Sequence, residues 1–288
     1  MGRSDSARRA NVAGLDTYFL DCPGGDPPVV LLHGLSANAN EFCALIDAGL
    51  APAHRVVAPD LRGRARSGKP ESGYAMADHA GDVLALMDHL GMDQVVLGGH
   101  SFGGLLSIYM AARHSERVSK VIVIDAAIEV HPDVRDMLRA SLGRLERTLP
   151  STSAYLDQLR SAPYINGMWD RYLESYYRAE IRENADGSAQ SMTSGSAVAQ
   201  ALDGAQAEDW ESLVAGVAQP VLLFNATEGY GPPGSPPLVP PEMARRTAQA
   251  FRNCKYVAIA ANHLTMVFGA NASRITTGIL DFLQGEGR

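Results

Sequence analysis

One serine lies in a setting that suits chemistry. Gly99-His100-Ser101-Phe102-Gly103 matches the pattern G-x-S-x-G, after the apolar run "VVLG" and before a helical pattern. Ser101 therefore falls on a tight strand–turn–helix junction. Such a turn strains the serine backbone, and side chains at the flanking positions would clash, which accounts for the glycines. A hydroxyl held out there attacks a carbonyl carbon once a base takes its proton, and the Phe102 N–H at the helix N-terminus can donate to the oxyanion that forms. Two carboxylates compete to orient the base. Asp125 ends the run "KVIVID", at the carboxyl end of a strand, where open α/β sheets place their sites. Glu228 lies in the loop after "PVLLFN". Asp125 is preferred because a rigid element carries it; Glu228 stays open.

The elements that must position these groups alternate. "PPVVLLHG", "HRVVAPD", "DQVVLGGHS", "KVIVIDAA", "QPVLLFN" and "CKYVAIA" read as strands, with "TYFLD" as a weaker first one. They are continuous apolar runs, the mark of strands buried on both faces. "HAGDVLALMDHLG", "GGLLSIYMAARHSERV" and "ASRITTGILDFLQ" read as helices. The fold class is α/β, a mostly parallel central sheet covered by helices. From about Glu129 to Val217 no strand is expected; the stretch is helical and rich in Arg and Tyr. It is read as a helical cap (129–217) inserted into a core of residues 1–128 and 218–288. The loop from Gly229 to Pro241 holds six of the 16 prolines and is expected to form an active-site rim.

Composition narrows the partners. The chain has 288 residues, 46% of them hydrophobic, enough to bury a sizeable core. A net charge of −7 argues against sequence-independent nucleic-acid binding. No apolar run reaches membrane-spanning length. The first residues, "MGRSDSARRANVAG", have no signal-peptide core and read as a polar leader; they fit the loose Met-Gly-x-x-x-Ser myristoylation pattern, which is set aside. Cys22, Cys43 and Cys254 form no CxxC pair, so neither a metal site nor a redox dithiol is indicated, and reduced thiols are expected. The expectation is a cytoplasmic monomer or homodimer that acts on a small molecule without metal or cofactor.

With "LLHGLSAN", "VVAPDLRG", "GGHSFGG" and "ANHLTM" in this order, the chain resembles the α/β-hydrolase superfamily from about Thr17 to Leu283. The resemblance implies that the base comes last. His114, His131 and His263 follow Ser101. His114 ends a helix, where a histidine suits the negative terminus, and His131 starts the cap. His263, in "ANHLTM", stands at the family position of the base. The resemblance also makes the Leu35 N–H the second oxyanion donor, leaves His33 structural, and makes Asp60 and Arg62 a structural ion pair. The chain departs from the family in "DLRGRARSG", where Arg64 and Ala65 replace a common His-Gly. Arg64 is expected on a solvated loop. The chain's pattern of a helical cap and no aspartate after the later strand resembles the acetamidomethylenesuccinate hydrolases, which, like the cofactor-free quinolone dioxygenases, take the acid from the position of Asp125.

A serine nucleophile excludes haloalkane dehalogenase and epoxide hydrolase chemistry, which needs a carboxylate there. Hydrolysis of a carboxylic ester, lactone, thioester or amide fits. From the cap, Trp169 and Tyr172 are the expected substrate contacts, with Tyr164, Tyr176 and Tyr177 as further aromatic candidates and Arg171 and Arg178 as surface arginines. Met266, with Phe268, is expected at a pocket wall. Two other readings remain open: a cofactor-independent dioxygenase using His263 as base, and a slow-turnover binding module for small molecules.

Overall fold

The computed structural model describes residues 6–165 and 167–285. The myristoylation pattern falls mostly outside them. Eight strands form the central sheet: β1 (Ala7–Val12), β2 (Leu15–Cys22), β3 (Val29–Leu32), β4 (Val56–Pro59), β5 (Val95–His100), β6 (Val118–Ile124), β10 (Val221–Ala226) and β11 (Cys254–Ile259). Their order is β1-β2-β4-β3-β5-β6-β10-β11. From β4 to β11 all neighbours are parallel, while β1 and β2 form an antiparallel hairpin. β3, β4, β5 and β10 are buried at every position, as their apolar runs require.

The hairpin corrects the reading of a polar leader. Residues 7–12, "ARRANV", pair with β2 around a two-residue turn, Ala13-Gly14, with both φ values positive at 50° and 86°. β1 is an edge strand, and its arginines are the charges that an exposed edge tolerates. That composition hid it among polar residues.

Between 129 and 217 the described residues add no strand to the central sheet. It forms helices Val134–Leu142, Thr152–Arg160, Arg171–Arg178, Gly195–Gln206 and Trp210–Gly216. It also contains three short strands, β7 (Thr148–Leu149), β8 (Ile181–Glu183) and β9 (Ala189–Ser191), in a small antiparallel sheet. No strand was expected here, because two or three residues are too few to set up a period. A buried ion pair ties the segment to the core. Arg144 meets Glu180 in two hydrogen bonds of 2.8 and 2.9 Å and donates to the Ser36 carbonyl at 2.8 Å. Tyr155 donates to the same Glu180 carboxylate at 3.1 Å.

Two apolar clusters cover the faces of the sheet. One holds Phe224, Met266 and Phe268 with Tyr164, Tyr176, Tyr177 and Tyr230; the other holds Phe102, Leu106 and Val123 with Ala201 and Ala205. Cys22 and Cys43 are buried and Cys254 is half-buried. Among the described residues no helix is long and apolar enough to cross a membrane, and no group of His, Cys, Asp or Glu is placed to hold a metal.

Candidate active site

β5 ends at His100 and the helix Phe102–Arg113 begins at once. Ser101 between them has φ 53° and ψ −118°, a left-handed conformation that a non-glycine residue adopts only under constraint. The glycines are needed for close approach. A Cβ on Gly103 would overlap the Leu32 carbonyl, and one on Gly99 would overlap the Gly103 backbone. The helix and β3 therefore pack backbone to backbone beneath the serine.

Asp125 follows β6 and is also left-handed, with φ 48°. Its N–H donates to the Phe224 carbonyl at 2.8 Å, which turns the side chain across the end of β10. There Oδ1 accepts from the Asn225 carboxamide at 2.9 Å and from the Ala226 N–H at 2.8 Å. Oδ2 lies 2.6 Å from His263 Nδ1. An ionised carboxylate only accepts, so Nδ1 carries the proton and Nε2 keeps a lone pair. Asn225 is in turn held by the Tyr256 hydroxyl at 2.9 Å and the Val239 carbonyl at 2.9 Å. Glu228 is exposed, and its N–H bonds the Ala261 carbonyl. His263 Nδ1 is taken by Asp125, and Glu228 makes no hydrogen bond to the imidazole among the described residues.

A second acid–histidine pair lies behind the first. His100 Nδ1 is 3.0 Å from Glu41 Oε1, and its Nε2 is 2.9 Å from the His263 carbonyl. The other Glu41 oxygen accepts the Gly34 N–H at 3.0 Å. Burial opposes charge on both groups, yet the His100 pKa is raised by Glu41 and the Glu41 pKa is lowered by His100. The two form a buried ion pair. The His100 ring is 4.5 Å from the His263 ring, centroid to centroid. Burial lowers the His263 pKa and the His100 charge lowers it further, against the hydrogen bond and charge of Asp125. His263 is thus neutral at neutral pH, the state in which it accepts a proton.

Ser101, His263, Leu35 and Phe102 line one cavity of about 590 Å³. Among the described residues the N–H groups of Leu35 and Phe102 bond no backbone carbonyl. His33 is fully buried, with Nδ1 against the Gly34 carbonyl at 2.7 Å and Nε2 accepting the Leu61 N–H at 2.9 Å. It anchors the loop that carries Leu35.

The other expected contacts divide. Tyr164, Tyr176, Tyr177 and Tyr230 line the cavity, together with Leu105, Ile128, Leu138 and Trp210. Tyr230 comes from the proline-rich loop. Trp169, Tyr172 and Met266 do not line it. Trp169 stacks behind Tyr177 at 5.8 Å and its indole N–H reaches Glu174. Tyr172 donates outward to Asp47 at 3.0 Å, and Met266 is wholly buried in the core. On the helix Arg171–Arg178 the buried residues are Leu173, Tyr176 and Tyr177, spaced i, i+3, i+4. Trp169 precedes this helix, and Tyr172, although one turn before Tyr176, is only half-buried, so the spacing alone did not separate wall residues from those behind them. Arg171 and Arg178 are exposed, the latter paired with Glu174. Asp60 pairs with Arg66 at 2.8 Å rather than with Arg62, which pairs with Asp82. Arg64 is fully buried rather than solvated. Sequence reasoning missed Asn225, Glu41 and the role of His100; a polar residue ending the run "VLLFNA" was the available sign for Asn225.

Comparison with known proteins agrees with this architecture. The family model for the alpha/beta hydrolase fold matches residues 27–270. The chain is 39% identical over 102 residues to a soluble epoxide hydrolase of Corynebacterium sp. (strain C12), a match that covers 35% of each chain, so the chain spans about a third of that relative's length. It is 29% identical over 208 residues to a 2-(acetamidomethylene)succinate hydrolase of Mesorhizobium japonicum, covering 70% of this chain and 71% of the relative. A crystal structure of E-2-(acetamidomethylene)succinate hydrolase superposes with a TM-score of 0.85 at 23% identity, over 97% of this chain and 99% of that one. This chain belongs to the alpha/beta hydrolase fold family.

Proposed function

We propose that this protein is a serine hydrolase that cleaves a carboxylic ester or a related acyl bond of a small molecule through an acyl-enzyme. The observation that carries the reading is the 2.6 Å contact between Asp125 Oδ2 and His263 Nδ1, in a cavity shared with Ser101. His263 Nε2 takes the Ser101 proton as Oγ bonds the carbonyl carbon. The carbonyl oxygen becomes an oxyanion held by the Leu35 and Phe102 N–H groups. The C–O, C–S or C–N bond then breaks, and His263 gives the proton to the leaving group. Water, deprotonated by His263, attacks the acyl-enzyme; Ser101 Oγ leaves and regains the proton. Asp125 fixes the tautomer and balances the imidazolium.

Residues 129–217 serve as the cap that chooses the substrate. The cavity walls are mainly apolar, with the Tyr230 ring beside His263, which favours a small and largely apolar substrate. The similarity to an epoxide hydrolase over a third of the chain does not bring that chemistry, since epoxide opening through an ester intermediate needs a carboxylate where Ser101 stands. The hydrolase names of the relatives support hydrolysis, and measurement must choose between ester and amide. The test is turnover of short-chain p-nitrophenyl esters with Ser101→Ala as background, together with fluorophosphonate labelling. Turnover at the background level and an unlabelled Ser101 would sink the reading.

A further inference from the structure

Three arginines follow one another at alternate positions, Arg62, Arg64 and Arg66. The outer two are balanced, Arg62 by Asp82 and Arg66 by Asp60. Arg64 is not. It is fully buried and makes no ion pair among the described residues. Its Nε–H donates to the Leu35 carbonyl at 3.0 Å. Nη1 donates to the Arg62 carbonyl at 2.6 Å and to His79 Nε2 at 2.8 Å. His79 is neutral there, its pKa driven well down by burial and by Arg64, with Nδ1 against the Ala75 carbonyl. Nη2 is buried with no partner among the described residues. The guanidinium carbon is 5.4 Å from the centre of the Phe102 ring and 5.9 Å from that of Tyr74.

A lone buried cation is a poor choice for stability. Desolvation opposes it, and an apolar side chain would fill the space at less cost. Burial lowers its pKa to about 9, so it stays charged at neutral pH. Its neighbours supply the function. Leu35 and Phe102 are the two residues whose N–H groups serve as oxyanion donors in the reading above; Arg64 bonds the carbonyl of the first and lies over the ring of the second. We propose that Arg64 is the positioning residue of the oxyanion site: it pins the Leu35 carbonyl, and so the backbone of the residue that supplies one donor, and places an unbalanced positive charge beside the two residues that supply the donors. The inference rests on the serine hydrolase reading. The charge has no partner in the resting enzyme and acquires one when the carbonyl oxygen turns anionic, so the benefit falls on the transition state rather than on substrate binding.

The experiment compares wild type with Arg64→Met, Arg64→Lys and the double variant Arg64→His/Ala65→Gly, which restores the common family pair and keeps the test open should the Met variant not fold. For each folded protein, kcat and KM are measured on p-nitrophenyl acetate, and the rate of Ser101 capture by a fluorophosphonate is measured separately. The Met and double variants are expected to lose kcat on the order of tenfold to a hundredfold, with KM unchanged and the capture rate falling in step. The Lys variant should recover part of both. An unchanged kcat and capture rate in a folded variant, or a loss confined to KM, overturns the proposal. Failure of the wild type to turn over any ester would strike the hydrolase reading instead, while the capture rates still decide the role of Arg64.

Discussion

His100 and His263 face each other at 4.5 Å, and the Glu41 carboxylate keeps the first of them charged. The chain places a cation beside its candidate base, which keeps that base neutral. The sign of the effect can be read in titration. The kcat/KM of the wild type should rise with pH as His263 loses its proton, with a midpoint below the ordinary histidine value of about 6.5. His100→Gln removes a charge that lowers the His263 pKa, so the rising limb should move to higher pH.

Asp125→Asn should act in the opposite direction on the same group. It removes the hydrogen bond and the charge that raise the His263 pKa. Histidine NMR signals followed against pH would show His263 titrating lower in Asp125→Asn than in wild type. A shift upward in that variant would contradict the assigned contact.

Asn225 carries the next prediction. Its carboxamide donates to Asp125, and Tyr256 supports it from behind. Asn225→Leu leaves a buried carboxylate short of a donor, at a cost of about 1–3 kcal/mol in stability by denaturant unfolding. It should also lower kcat, because Asp125 loses one of its fixed positions. Tyr256→Phe removes only the supporting bond and should cost about 1 kcal/mol.

Arg144 and Glu180 join the 129–217 segment to the loop of Leu35 and Ser36. Glu180→Ala strands a buried guanidinium and should destabilise the protein by about 3–5 kcal/mol. The paired change of Arg144 and Glu180 to apolar residues should cost less than the single one. Thermal melts of the three variants check the order.

The sequence reveals groups that local motifs carry and conceals groups that tertiary packing selects. Ser101 is legible because a tight strand–turn–helix junction needs glycines at fixed offsets, and His263 because the family resemblance implies a base after the last strand. The choice between the two candidate acids is not legible. Asp125 and Glu228 both follow strands, and only the left-handed turn at Asp125 aims one of them across β10. Glu41 and His100 lie 59 residues apart, a pairing no local pattern encodes. The parallel strands show as apolar runs, whereas β1, polar and at an edge, does not. Arg64 looks like a loop arginine in any window, and its burial follows from packing against Phe102 and Tyr74.

The most direct measurement is kcat/KM on a short-chain p-nitrophenyl ester for wild type, Asp125→Asn and Glu228→Gln, against the Ser101→Ala background. Asp125→Asn should lose on the order of 10³–10⁴-fold, as the loss of the correct tautomer does in a serine triad, while Glu228→Gln stays near wild type. A collapse at Glu228 with Asp125→Asn still active would contradict the account.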